Sequence, residues 1–474
     1  MPDLLTPDLC VIGAGSGGLS VAAAAAAFGV PVVLIEKGKM GGDCLNYGCV
    51  PSKALIAAAK HAAGFAQAPR FGVEGGPARI DFAKVRDHVR GVIAAIAPND
   101  SKERFAGLGV QVIAGAARFT DRETVAVDDY EIKARRFIIA TGSAPAIPPI
   151  PGLAETPHLT NETIFDLDEC PRHLVVIGAG PIGLELAQAF RRLGAAVTVI
   201  EAATPLAKDD PECAAIVLDA LHRDGVVIRA GVTVKEVAGS AGTVKVAIAG
   251  PSGEDTIEGT HLLVATGRTP NIADLGLDAA GIKHERRGIV VNARLRTTNK
   301  RVYAVGDVTG DLQFTHVANY HAGLVIRNAL FRFPAKIDRD VIPWVTFTDP
   351  ELAHVGLSEA AARKRKYKFS VLRWPYHEND RAQTERVTHG HIKVITTPRG
   401  RILGATIVGA NAGELIATWT LAIGQGLNIR AVAEAVVAYP TLAEIGKRAA
   451  ITHFAPSLTS ARVRRIIGWL RRFG

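Results

Sequence analysis

Cysteine is scarce in this chain. Five cysteines stand among 474 residues (Cys10, Cys44, Cys49, Cys170 and Cys213), too few and too scattered for a disulfide scaffold. A hydrophobic share of 48% makes such staples unnecessary, because a chain of this length can bury a large core and fill about three domains. No run approaches the ~20 apolar residues of a membrane span. The opening MPDLLTPDLCVIGAG has no basic segment ahead of its apolar run, so it reads as a strand rather than a secretory leader. A reducing cytoplasm is therefore expected, where a close cysteine pair points to catalysis or metal binding more than to structure. The net charge of +9 is unevenly placed: five arginines and no acid lie between Ser460 and Gly474, which leaves +4 for the rest. That balance gives no footing for a nucleic-acid partner.

What the chain does have is glycine in two matched places. DLCVIGAGSGGLSVAAAAAAFGVPVVLIEK runs from an apolar segment through a glycine turn and an alanine-rich helix to a second apolar segment ending in an acid. HLVVIGAGPIGLELAQAFRRLGAAVTVIEA repeats the pattern. Both read as βαβ dinucleotide fingerprints. Gly13 and Gly178 suit the tight turn after the strand, Gly15 and Gly180 let backbone approach a pyrophosphate, and Gly18 and Gly183 let helix and strand pack closely. The helix N-terminus faces the phosphates with partial positive charge. Glu36 stands 23 positions after Gly13, and Glu201 stands 23 after Gly178; each ends a strand where a carboxylate can accept ribose hydroxyls. One such glycine pattern is a weak signal, but two with strand, helix and acid in register are strong. A carboxylate at 201 also repels a 2′-phosphate, and Arg191 and Arg192 lie on the helix rather than after the strand, so NADH is expected over NADPH.

GGDCLNYGCVPSK, residues 41–53, follows the first fingerprint. In a regular helix Cys44 and Cys49 would have Cα atoms about 8–9 Å apart, and a disulfide needs less than about 7 Å. A bridge therefore requires an irregular turn, which Asn46 and Gly48 suit. Pro51 fits an early helical position, and SKALIAAAKHAA continues as helix. A helix N-terminus favours a thiolate.

The motif resembles the redox-active segment of the flavin-dependent pyridine nucleotide–disulfide oxidoreductases, the family of dihydrolipoamide dehydrogenase, glutathione reductase and mercuric reductase. ATGSAP (140–145), ATGRTPN (265–271) and VYAVGDV (302–308) extend the resemblance over essentially the whole chain. It implies an α/β protein with two Rossmann-like domains and a C-terminal α+β dimerisation domain. The FAD domain would comprise 1–148 and 271–340, the NAD(P) domain 149–270, and the interface domain 341–474. It assigns Gly13, Gly15, Ser16, Gly18, Glu36, Gly42, Lys53, Thr141, Gly142 and Asp307 to FAD. It assigns Gly178, Gly180, Gly183, Glu201 and Gly267 to NADH. Electrons would pass from NAD(P)H through FAD to a Cys44–Cys49 disulfide, with Cys49 facing the flavin and Cys44 the substrate. Lys53 would sit beside flavin N5 with Glu185 as its partner, a cation placed to stabilise the reduced ring.

Dithiol-handling members carry His-Pro-Thr-x-x-Glu near the C-terminus, and the histidine reaches the partner's site as base. Here the frame reads Tyr439-Pro440-Thr441-Leu442-Ala443-Glu444. A phenol with pKa near 10 is a poor base at neutral pH, where a histidine near 6.5 serves well. Dihydrolipoamide and glutathione disulfide are therefore expected to be poor substrates, and a metal ion, quinone or small oxidant the acceptor. Dihydrolipoamide dehydrogenase proper is the alternative, and a flavin- and NADH-binding redox sensor or membrane-associated scaffold is a second. Tyrosine here resembles mercuric reductases, but those end in a vicinal cysteine pair and this chain has no cysteine after Cys213. His316 and His321 are expected to be structural or flavin-side contacts; His453, in KRAAITHFAPSL, is the off-motif candidate for a replacement base but is expected to be a surface or packing histidine. The tail SARVRRIIGWLRRFG forms a short basic amphipathic helix. It suits either an anionic membrane surface at the inner face of the membrane or docking on the body or the dimer mate.

Overall fold

The computed structural model describes residues 2–76, 78–458 and 460–473. The chain forms two compact units, Met1–Ala202 with Ile228–Ile337, and Ala203–Val227 with Asp338–Gly474.

The first unit is built on both βαβ copies. Strand β1 (Leu9–Ile12), helix α1 (Ser16–Ala27) and strand β2 (Val32–Glu36) make the first. β1 and β2 are the inner strands of a five-stranded parallel sheet, completed by Val110–Ala114 beyond β2 and by Arg136–Ile139 and Val302–Ala304 on the other side. A strand covered on both faces reads as a continuous apolar run, and all four residues of β1 are buried. Cys10 belongs to this core, and burial pushes its thiol pKa well up. Helix α2 (Gly42–Asn46) and helix α3 (Cys49–Gln67) follow β2. The second copy comprises β3 (His173–Ile177), α4 (Pro181–Arg192) and β4 (Ala196–Glu201). β3 pairs in parallel with β4 on one side and with His261–Val264 on the other. Helix α5 (Thr315–Ala329) packs on α1, where the missing side chain of Gly17 admits it: a Cβ there would meet Val305 and Ala318 at 3.2 and 3.3 Å.

The second unit is an antiparallel sheet ordered 344–346, 351–356, 402–409, 391–396, 370–375. The helix Pro211–Arg223 packs against its central strands. A buried cation fixes that helix: Lys393, 4% exposed, puts Nζ 2.7 Å from Asp210, 3.2 Å from Glu212 and 3.1 Å from Glu359. Arg373 adds a bond of 3.0 Å to Glu212. That bond, ahead of Lys393, holds the Glu212 carboxyl down at about 2. A depressed carboxyl stabilises the fold above its unfolded pKa, so this contribution is lost as pH falls from about 4.3 towards 2. Its helices include α6 (Asp380–Thr384), α7 (Glu444–Thr452) and the terminal helix α8 (Ala461–Leu470), besides Ala412–Gly424, which packs on the sheet.

Candidate active site

Two glycine cradles open the site. Gly13 and Gly178 take φ of +105° and +110°, and a Cβ at either would strike the carbonyl oxygen of Ala140 or Ala265 at 2.4 or 2.5 Å. Each tight turn aims a helix N-terminus at open space: nothing lies within 4 Å of a Cβ built at Gly180, and at Gly15 only the Cα of Gly42 does, at 3.9 Å. These are backbone-lined recesses of the kind a pyrophosphate needs. Ser16 opens α1. The strand-end acids brace the turns: Glu36 accepts from the Ala14 N–H at 2.6 Å and the Gly38 N–H at 2.7 Å, and Glu201 accepts from the Ala179 N–H at 2.8 Å. Each carboxylate is thus oriented from the side of the glycine loop.

Thr141, Gly142 and Asp307, expected to hold the flavin, lie around a second turn with Gly267 of the NADH set. Thr141 donates its hydroxyl to the Asn271 carbonyl at 2.7 Å, and the Asn271 amide returns a bond of 2.9 Å to the Thr141 carbonyl. Gly142 and Gly267, at φ +68° and +128°, both face open space. Asp307 is largely buried, and desolvation raises its carboxyl pKa. Ser143 donates to it at 2.6 Å. Arg268 ties this corner together, with its guanidinium 2.7 Å from Ser143 Oγ, 3.8 Å from Asp307 and 3.2 Å from Asp43. Asn161 binds Asp43 as well, at 3.1 Å. His321 braces the same turn through Nδ1, which accepts from the Gly306 N–H at 3.2 Å. The open recesses and the desolvated acid fit a large diphosphate-bearing cofactor. Asp43, Ser143 and Arg268 lie inside motifs the sequence showed but were given no role there, and Asn161 lies outside all of them. Arg268→Met leaves two carboxylates short of their cation, so holoenzyme should release flavin at least ~10-fold faster, measured by the rise of free-flavin fluorescence.

Cys44 and Cys49 lie on different helices. α2 ends at Asn46, Tyr47 and Gly48 leave helical geometry, and α3 begins at Cys49. That break brings the two sulfurs into hydrogen-bonding contact. Cys44 is the donor, and Cys49 is lowered to about 6, first by that bond and then by Thr315 and the charge of Lys53, against the opposing effect of burial. The same contact pushes the Cys44 thiol far up. Cys49 Sγ lies 3.5 Å from Thr315 Oγ1 at the start of α5. In that stretch the sequence drew attention to His316 and His321, not to the threonine that faces the thiolate. Lys53, one turn along α3, places Nζ 2.8 Å from Glu185 Oε2 on α4, so α3 is held to α4.

Tyr439 and Glu444 lie in the second unit. Tyr439 is exposed, and its hydroxyl donates to Asp380 Oδ2 at 2.8 Å, which raises the phenol pKa. Asn379, which caps α6, binds the Thr441 carbonyl at 3.0 Å, so the Tyr-Pro-Thr turn is fastened to the start of α6. Glu444 opens α7. His453 meets Thr396 at 3.4 Å.

Residues 7–322 match the pyridine nucleotide-disulphide oxidoreductase family and residues 342–450 its dimerisation domain. Among curated relatives, the mercuric reductase of Staphylococcus aureus is 37% identical over 449 residues, covering 94% of this chain and 82% of that protein. The dihydrolipoyl dehydrogenase of Geobacillus stearothermophilus is 35% identical over 453 residues, covering 94% and 95%. Among solved structures, the Cu(II) complex of the HOCl-induced flavoprotein disulfide reductase RclA from Escherichia coli superposes with TM-score 0.84 at 28% identity, covering 96% of this chain and 100% of that one. LpdA from Mycobacterium tuberculosis superposes with TM-score 0.87 at 26% identity, covering 94% and 99%. With two nucleotide cradles and a thiol pair between them, the chain is a member of the pyridine nucleotide-disulphide oxidoreductase family, a flavoprotein enzyme using FAD and a pyridine nucleotide.

Proposed function

We propose that the protein passes electrons from NADH through Cys44 and Cys49 to an acceptor that needs no strong base: a metal ion, a quinone or a small oxidant. The observation that carries this is Tyr439, whose phenol stands in the family's histidine frame and is spent as a donor to Asp380. Bound FAD supplies hydride acceptance and electron transfer. The chain supplies the rest. Cys49 is kept as thiolate by Cys44, Thr315 and Lys53. Cys44 is the thiol that meets the acceptor, and Glu185 holds the Lys53 ammonium. Glu201 favours NADH, because a second negative charge beside its carboxylate is repelled. Tyr439 and Glu444 would complete the partner's site in a homodimer formed through the dimerisation domain. The work would be done in the cytoplasm, near the inner face of the membrane, where a quinone is met.

The metal option draws support from the mercuric reductase relatives and from the Cu(II) complex of the Escherichia coli neighbour. Two adjacent thiols suit soft ions. The dihydrolipoyl dehydrogenase relatives favour the second reading. Steady-state assays with dihydrolipoamide, glutathione disulfide, Hg(II), Cu(II) and quinones, each with NADH and NADPH or the oxidised form as the direction requires, separate the two. Dihydrolipoamide outpacing every other substrate would overturn the proposal, and slow turnover throughout would favour a sensor. Tyr439→His should raise dihydrolipoamide oxidation by ~10²-fold, the low end of what a positioned base contributes. An unchanged rate would mean that the tyrosine is not the cause.

A further inference from the structure

Helix α8 lies beyond the matched dimerisation domain, which ends at residue 450. Ser460 starts it cleanly, accepting from the Val463 N–H at 3.2 Å. None of its residues is buried, and Ile466, Ile467, Trp469, Leu470 and Phe473 are 48–71% exposed. At 100° per residue, Val463, Ile466, Ile467 and Leu470 fall within one arc, and Phe473 follows the closing turn. Arg464, Arg465, Arg471 and Arg472 fall on the opposite arc, with Arg471 beside one edge of the apolar face. Arg462 and Trp469 mark the other edge. There the Trp469 ring packs edge-on against Phe473, with centroids 4.9 Å apart.

We propose that α8 is a peripheral membrane-docking element whose occupant is a lipid surface bearing anionic headgroups. The apolar arc would enter the headgroup–acyl boundary. Arg462 and Arg471 flank it at phosphate depth, and the other arginines add long-range attraction. Three features favour lipid over a protein groove. The charge is of one sign, with no acid from Ser460 to Gly474. The indole sits at the polar–apolar border, where amphipathic rings settle in bilayers. The arginine stems can extend along the apolar face while their charged heads stay wet. The inference needs only the tail and holds whatever the electron acceptor is.

Flotation of the full-length holoenzyme on phosphatidylcholine vesicles, with and without about one third phosphatidylglycerol, tests it. Binding should be at least ~10-fold stronger to the anionic vesicles and should collapse at about 0.5 M salt. Trp469 emission should shift to the blue on binding. Ile466→Asp with Ile467→Asp, and separately Arg464→Gln with Arg465→Gln, should each weaken binding, while NADH oxidation with a soluble acceptor stays at the wild-type rate. Flotation of the aspartate variant equal to wild type would overturn the proposal. So would failure of wild type to float with anionic vesicles, or loss of dimer mass in the aspartate variant, which would place the helix on a second copy. The soluble-acceptor rate reports separately on the electron path, so failure there is not failure here.

Discussion

Cys49→Ser should lower NADH-driven acceptor reduction by at least ~10³-fold, as expected when the reacting group itself is removed, while the protein folds and keeps its flavin. Its basis is the contact between two thiols held at a helix break. Cys49 is the one made acidic, near 6, because Cys44 donates to it, Thr315 adds a second bond and Lys53 lends charge. A serine hydroxyl cannot serve as a thiolate or carry half of a disulfide, and serine differs from cysteine by a single atom, so the fold should stay intact. Cys44→Ala should abolish turnover as well and should also raise the Cys49 pKa towards its ordinary value, because the largest cause of the lowering is gone. In reduced wild-type protein the thiolate should dominate above pH 6 or so and disappear as pH falls through that value, followed by ultraviolet thiolate absorbance. Wild-type turnover in Cys49→Ser would remove the thiol pair from the electron path.

Lys393→Met should destabilise the C-terminal unit by about 3–5 kcal/mol, the cost of leaving buried charge uncompensated. Lys393 is nearly inaccessible and faces three carboxylates, one of them the buried Asp210. Methionine matches the stem but neutralises nothing. In thermal unfolding this should appear as a loss of ~10 °C. The pH dependence distinguishes charge from packing. Carboxylates stripped of their cation bind protons more readily in the folded state, so the gap to wild type should narrow as pH falls from 7 towards 4. A constant gap across that range would assign the loss to packing instead.

The frame of the site is legible in the sequence because it is local. A glycine turn, the helix after it and the acid at the end of the next strand lie within one βαβ unit, and both copies fold as their patterns specify. The irregular turn required between Cys44 and Cys49 is also found, at Tyr47 and Gly48. What does not show is whatever depends on distant residues meeting. Arg268 gathers Asp43, Ser143 and Asp307 from three separate segments, and no window of sequence contains them. Thr315 reaches Cys49 across 266 positions. Tyr439 finds Asp380 rather than the glutamate five residues on, because the Asn379 cap fastens α6 against the Tyr-Pro-Thr turn.

The helix Pro211–Arg223 makes the C-terminal unit discontinuous in the gene. The unit draws 25 residues, Ala203–Val227, from between two strands of the second parallel sheet. A fragment stopped at Ile337 would keep the helix and lose its sheet, leaving Cys213, Val217 and Leu221 without cover. A fragment begun at Asp338 would keep Lys393 but lose Asp210 and Glu212. Neither half is a portable cassette. Exchange of the C-terminal unit between relatives must carry the 203–227 segment with it, so two distant stretches of the chain are bound to change together.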